Sequence, residues 1–235
     1  MKLEKVITIK AVLRCLSGLH IGSGDTEMHI GGIDNRVVKH PLTQEPYIPG
    51  SSLKGKIRSL LEWRSGQVQQ GPLTLESYNQ TKSPEVLQIL RLFGVAGNKS
   101  MSLEDLNQIG PSRLSFWDCY LMEDYVQKVQ KANLPFTEAK AENTINRING
   151  TAEHPRQMER VNADATFNFT LTLKHLSGDD ETLLKTVLIG MKLLEGDSLG
   201  GSGTRGYGKV KFENLQIDGV DKTKDFEALN PFEGS

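Results

Sequence analysis

Apolar and polar residues alternate along KVITIKAVLRCL. Ile7, Ile9, Ala11 and Leu13 fall on one face, and Thr8, Lys10, Val12 and Arg14 on the other. A period of two predicts a half-buried strand over Lys5–Leu16. The same period recurs in RLSFWDCYLM (Arg113–Met122), with Leu114, Phe116, Asp118 and Tyr120 opposite Ser115, Trp117, Cys119 and Leu121. It recurs again in ATFNFTLTLK (Ala165–Lys174), where Phe167, Phe169, Leu171 and Leu173 share a face, and in YGKVKFENLQI (Tyr207–Ile217). Between these runs the period becomes helical. Leu53, Ile57, Leu60 and Leu61 stand at i, i+4, i+7 and i+8, and Ser51 or Ser52 is a good N-cap, which predicts a helix over Ser52–Arg64. Ser83 and Pro84 open a short helix that carries Val86, Leu87, Leu90 and Phe93 and stops at Gly94. Leu184, Val187, Leu188, Met191 and Leu194 predict a third over Thr182–Glu195.

The order is therefore strand, helix, strand, strand, helix, strand. That is the α+β, ferredoxin-like arrangement (split βαβ, RRM-like), an antiparallel sheet with two helices on one face. A single domain over residues 1–217 is predicted, interrupted by helical and thumb-like hairpin insertions at about 65–112 and 123–160. The polar run from Glu123 to Gln157 has no clean period and is long for a connection, so it should project. Residues 97–110 read as loop. Residues 218–235 hold five acids against Lys222 and Lys224 and read as a loose acidic tail.

Composition narrows the function classes. The chain has 37% hydrophobic and 24% charged residues, as an ordinary soluble domain does. No apolar run approaches the roughly 20 residues of a membrane span, and no signal peptide opens the chain, so a cytoplasmic protein is expected. Cys15 and Cys119 fit no zinc or redox spacing and read as reduced, buried thiols. A net charge of −1 argues against coating nucleic acid by bulk attraction. The charge is uneven, however: residues 36–64 carry six Lys or Arg against Glu45 and Glu62, which suits local phosphate contact.

Three stretches carry candidate chemistry. The first runs from Leu19 to Leu61 and contains Gly31-Gly32-Ile33-Asp34-Asn35, a glycine-flanked loop that either caps its own turn with Asp34 or projects that carboxylate. Asp25, in Gly22-Ser23-Gly24-Asp25, is the second-choice acid. His29 and His40 flank the loop with no metal-ligand spacing. At its far end, Gly50, Ser51 and Ser52 followed by Lys54 and Arg58 read either as an ordinary capped helix or as a phosphate cradle at a helix N-terminus. The second, Glu142–Val161, offers Arg147, Arg156 and Arg160 as phosphate contacts and Met158 as an apolar wedge. In the third, Gly201-Ser202-Gly203-Thr204-Arg205-Gly206 matches G-x-G-x-x-G but follows a helix and opens a strand, the reverse of a dinucleotide site. The base-stacking aromatic run of an RNA-recognition sheet is missing, so any RNA should be held by loops and through its backbone.

IPGSSLKGKIRSLLE preceded by GGIDNRVVKHP, then ENTINRINGTAEHPRQMERV, then LGGSGTRGYGKV, resemble in order the segments of the RAMP superfamily. Within it, the likeness is to the repeated backbone subunit of type III CRISPR RNA-guided complexes, the third subunit of type III-A. The resemblance implies a ferredoxin-like core and an endoribonuclease that cleaves guide-complementary RNA at regular intervals, with Asp34 catalytic and binding a divalent metal (Mg2+ or Mn2+). It implies guide contacts by His20, Gly50, Ser51, Ser52, Lys54, Arg58, Gly201, Gly203 and Arg205, and a thumb-like hairpin bearing Arg147, Arg156 and Arg160 that wedges into the guide–target duplex. The implied partners are guide (CRISPR) RNA, target RNA, further copies of the chain in a filament, and large, small and capping subunits. A non-catalytic scaffold of the same complex, a guide-precursor-processing endonuclease and, more distantly, a metabolic ferredoxin-like enzyme are the alternatives.

Overall fold

A computed structural model of the chain describes residues 1–24, 35–95, 102 and 107–233. In chain order its elements are β1 (Leu3–Cys15), β2 (Tyr47–Ile48), α1 (Gly50–Arg64), α2 (Leu75–Thr81), α3 (Pro84–Phe93), β3 (Leu114–Phe116) and β4 (Cys119–Tyr120). Then follow α4 (Glu123–Lys131), β5 (Thr137–Ile145), β6 (Ala152–Val161), β7 (Thr166–Leu176), α5 (Thr182–Gly196), β8 (Val210–Ile217), β9 (Val220–Asp221) and α6 (Thr223–Ala228). The main sheet runs β3-β7-β1-β8-β9, antiparallel throughout. Two crossovers, β1–α1–β3 and β7–α5–β8, each skip a strand. The result is the split βαβ core that the periodicity predicts.

Strand period explains the layering. Ile7, Ile9, Ala11, Leu13 and Cys15 of β1 and Phe167, Phe169, Leu171 and Leu173 of β7 are buried together with Leu53, Ile57, Val187 and Met191 of the helices. Each such side chain contributes roughly 1.5–3 kcal/mol on leaving water. Phe169 meets Phe212 edge-on at 4.9 Å. The helices cross at Gly190, where a Cβ would stand 2.6 Å from Ile57 Cγ2. Burial pushes the Cys15 and Cys119 thiols up to about 12.

Four expectations need correction. Arg113–Met122 is not one strand. It breaks at Trp117-Asp118 into β3, which joins the main sheet, and β4, which pairs with β2. The break resets the face, so that Cys119 and Leu121 are buried and Tyr120 is exposed. Second, α1 begins at Gly50, and its N-cap is Pro49 rather than a serine. Third, α4 occupies the start of the polar run, burying Tyr125, Val126 and Val129 before the β5–β6 hairpin projects. Fourth, the acidic tail is not loose. Phe226 of α6 is 2% exposed and lies edge-on to Phe212, and Arg64 Nε donates to Pro231 O at 2.6 Å. The five acids stay exposed, and burying one aromatic on the core is what holds the segment down. Ser83 does cap α3, accepting the Val86 N–H, with Gly94 at its end.

Candidate nucleic-acid interface

Asp34, Asp25 and His29 lie outside the described residues. Both ends of their segment are fixed. Ser23 N–H donates to Arg36 O (3.1 Å), Val38 N–H donates to Ile21 O (2.9 Å), and Gly22 bridges Val37. Asn35, which follows Asp34 directly, is held at the root of the hairpin. The Glu159 N–H donates to Asn35 O (3.0 Å), and Asn35 Nδ2 donates to Met158 Sδ (3.1 Å).

His20 lies five residues beyond the end of β1 and is 8% exposed. Its Nδ1 lies 2.6 Å from the Glu159 carbonyl oxygen. A carbonyl can only accept, so Nδ1 carries the hydrogen of this bond. The His20 carbonyl in turn accepts the Gly201 N–H at 2.9 Å. The glycine-rich loop can come this close because Gly200, at φ +76°, has no Cβ, which would otherwise lie 2.2 Å from His20 O. Gly203 packs on Ser198 in the same turn, its Cβ position 2.0 Å from Oγ.

Beyond the loop, Arg205 forms an ion pair with Glu142 of β5. Tyr207 Oη donates to Glu142 Oε1 at 2.8 Å, and Arg156 and Lys140 each approach the same carboxylate at 3.8 Å. Lys140 and Arg160 both lie over the Tyr207 ring, at 4.5 and 5.1 Å. Arg160 also bonds Glu138 at 2.7 Å and packs its stem on Gly18. Burial and then the Glu142 hydrogen bond push the Tyr207 hydroxyl up to about 12. Burial acts to raise the Glu142 carboxyl, but Tyr207, Arg205 and Lys140 outweigh it and hold it below the usual range. The hairpin and the glycine-rich loop are thus stitched along a seam where four cations meet two carboxylates. Arg147, at the exposed hairpin turn, stands apart from that seam.

Several expected contacts have other work. Met158 is 8% exposed at the hairpin root and is no wedge; the apolar side chain at the tip is Ile148, 97% exposed. Arg58 is turned inward, donating to Glu62 (2.8 Å), Gly94 O (3.1 Å) and Leu73 O (2.9 Å), and so clamps the first insertion. At the start of α1, Gly50 N–H donates to Asp118 Oδ1 at 2.7 Å, so a carboxylate already occupies part of the expected phosphate cradle. Ser51 is exposed, while Ser52 and Lys54 are half-buried. Among the described residues no group of three His, Cys, Asp or Glu could hold a metal ion. Sequence reasoning missed Asp118, Glu159 and Tyr207, although the last two lie inside MERV and GTRGYG.

The family model of the RAMP superfamily matches residues 12–211. The chain belongs to the RAMP superfamily. This RAMP chain is 38% identical over 230 residues to the CRISPR system Cms endoribonuclease Csm3 of Methanothermobacter thermautotrophicus, covering 92% of this chain and 87% of the relative. Among solved structures it resembles a chain of the Csm3-Csm4 subcomplex of the type III-A CRISPR-Cas interference complex, with TM-score 0.55, 26% identity, and 92% of this chain and 80% of that one covered. A chain of the type III-B Cmr-beta complex bound to cognate target RNA shares the fold at 17% identity and TM-score 0.59, with 92% and 61% covered. No helix among the described residues is long and apolar enough to cross a membrane.

Proposed function

We propose that this chain is a Csm3-type backbone subunit of a type III CRISPR effector complex, binding guide RNA and cleaving complementary target RNA at regular intervals. Likeness to a named endoribonuclease along nearly the full chain carries the reading. The seam of Arg205, Arg156, Lys140 and Arg160 supports it, because it lines the angle between hairpin and core with cations suited to a sugar–phosphate backbone. His20, Gly50, Ser51, Ser52, Lys54, Gly201 and Gly203 are the further guide contacts of this reading, and Arg147, exposed at the hairpin turn, is its contact to the duplex. The partners are guide and target RNA, further copies of the chain, and large, small and capping subunits, in the cytoplasm.

Asp34 is the catalytic carboxylate of this proposal. It accepts a hydrogen bond from a ribose 2′-hydroxyl as that oxygen attacks the adjacent phosphorus. The 2′-hydroxyl proton passes to Asp34, the P–O5′ bond breaks and O5′ takes a proton from water, leaving a cyclic phosphate on one product and a 5′-hydroxyl on the other. A bound Mg2+ or Mn2+ would offset charge at the phosphate. Its ligands would be Asp34, phosphate oxygens and water, since the described residues offer no cluster of their own.

The test is cleavage of labelled guide-complementary RNA by the assembled complex, wild type beside Asp34→Ala, in Mg2+ and in chelator. Evenly spaced products that vanish in the variant while target binding survives are expected. Spaced products from both proteins would move catalysis off Asp34. No products from either, with target bound, would leave the chain a scaffold. Activity undiminished by chelator would remove the metal from the scheme.

A further inference from the structure

Glu159 sits on β6 at the root of the hairpin, 3% exposed. A buried carboxylate is costly unless it is well bonded, so its partners show what it holds. Oε2 accepts the Val37 N–H at 2.9 Å, while Oε1 accepts from Lys39 Nζ at 2.6 Å and from Thr137 Oγ1 at 2.7 Å. The backbone of the same residue adds two more bonds: its N–H donates to Asn35 O (3.0 Å), and its carbonyl accepts from His20 Nδ1 (2.6 Å). Bonds from this one residue therefore end on Asn35, Val37 and Lys39, alternate positions of the stretch that follows Asp34. The others end on His20 and on β5. Burial acts to raise the Glu159 carboxyl, but Lys39, Thr137 and the Val37 N–H outweigh it and hold it below the usual range.

Neither the hydrophobic core nor the cationic seam accounts for a charge at this place. Core packing would be served by an apolar residue, and the seam has Glu142 and Glu138 of its own. We propose that Glu159 is a positioning residue for target cleavage, anchoring the backbone after Asp34, the His20 ring and the hairpin root to one point. Three alternate positions of the stretch that follows Asp34 in sequence are tied to the hairpin root, Val37 and Lys39 by the Glu159 carboxylate and Asn35 by its backbone N–H. Because the hairpin shares the anchor, losing the carboxylate's bonds to Val37 and Lys39 would let that stretch shift against the hairpin, and with it the choice of phosphate that is cut. This inference rests on Asp34 as the catalytic acid.

The test uses the assembled complex with end-labelled target RNA in Mg2+, at saturating target and single turnover, and compares Glu159→Gln, Lys39→Met and their double variant. Glu159→Gln places an amide N–H against Lys39 or Val37. It should slow cleavage by on the order of tenfold to a hundredfold with target affinity unchanged, as a displacement of about 1 Å does to a reacting group. It should also spread the cuts onto neighbouring phosphates, a change that loss of stability alone does not produce. Lys39→Met, whose side chain is partly exposed, should show the same change more weakly and keeps the inference testable where Glu159→Gln fails to assemble. The double variant should be no slower than Glu159→Gln, since the pair acts as one unit. Wild-type rate and cut position in both single variants would overturn the proposal. So would slowing that merely tracks lost guide or target binding. Asp34→Ala alongside reads the catalytic assignment by itself: cleavage persisting there overturns that assignment and this inference together. Cleavage abolished there but intact in Glu159→Gln and Lys39→Met overturns only the positioning role.

Discussion

Arg58, expected to contact RNA, makes its bonds within the fold. Its place beside Lys54, on a helix that follows a glycine and two serines, invites that reading. In the fold, each of its three nitrogens donates inward, to Glu62, Gly94 O and Leu73 O, and Glu62 is itself buried. Removing one member of such a pair strands the other in a poorly solvated site. Arg58→Ala should therefore lower stability by about 3 kcal/mol, read as a drop in the urea midpoint. At matched folded fraction its guide-RNA affinity should equal the wild type. Lost RNA affinity with an unchanged midpoint would return Arg58 to the RNA surface. Sequence spacing placed Arg58 on the flank of a helix, but whether that flank faced water depended on an insertion that returns to cover it.

At the scale of elements, strands and helices whose period is clean were legible, because each buries one continuous face. β1, β7 and α5 fall within a few residues of their predicted limits for that reason. What failed were places where a long-range partner overrides a local pattern. Asp118 breaks an alternating run because its carboxylate leaves to bond Gly50, and Phe226 turns a charged tail into a helix by seating on Phe212. The candidate site divides likewise. Arg205 and the glycines could be named from their motif. That Glu142, 63 residues earlier in sequence, meets Arg205 could not be read without the fold. The seam makes a prediction of its own. Arg156→Ala and Arg205→Ala should each weaken guide-RNA binding uniformly across sequences, and each should reduce the slope of log affinity against log salt by about 1. Binding titrations across a salt series measure it. An unchanged slope in both would mean that Glu142 keeps these cations from phosphate.

For the whole molecule, buried carboxylates tie distant segments together, and this sets how the fold responds to acid. Asp179 bonds Arg113 at 3.0 Å where both side chains are almost wholly buried, joining the start of β3 to the turn before α5. Glu159 joins the Asn35–Lys39 stretch to the hairpin. Burial acts to raise both carboxyls, yet Arg113 for one and Lys39 with Thr137 for the other outweigh it, so both lie below their ordinary values. A carboxylate depressed in the folded state contributes stability that is complete above its unfolded value, about 4, and is lost as pH falls through the folded value. Stability should thus be level from neutral pH down to about 5 and decline steeply below about 4. Denaturant midpoints measured at successive pH values test this. Asp179→Asn should lower the plateau by about 3–5 kcal/mol, because Arg113 is left buried without its charge partner, and should flatten the acid limb. A wild-type midpoint that holds or rises on acidification would mean that these ion pairs do not hold the segments together. The Glu159 anchor would then lose its energetic basis along with the Asp179 clamp.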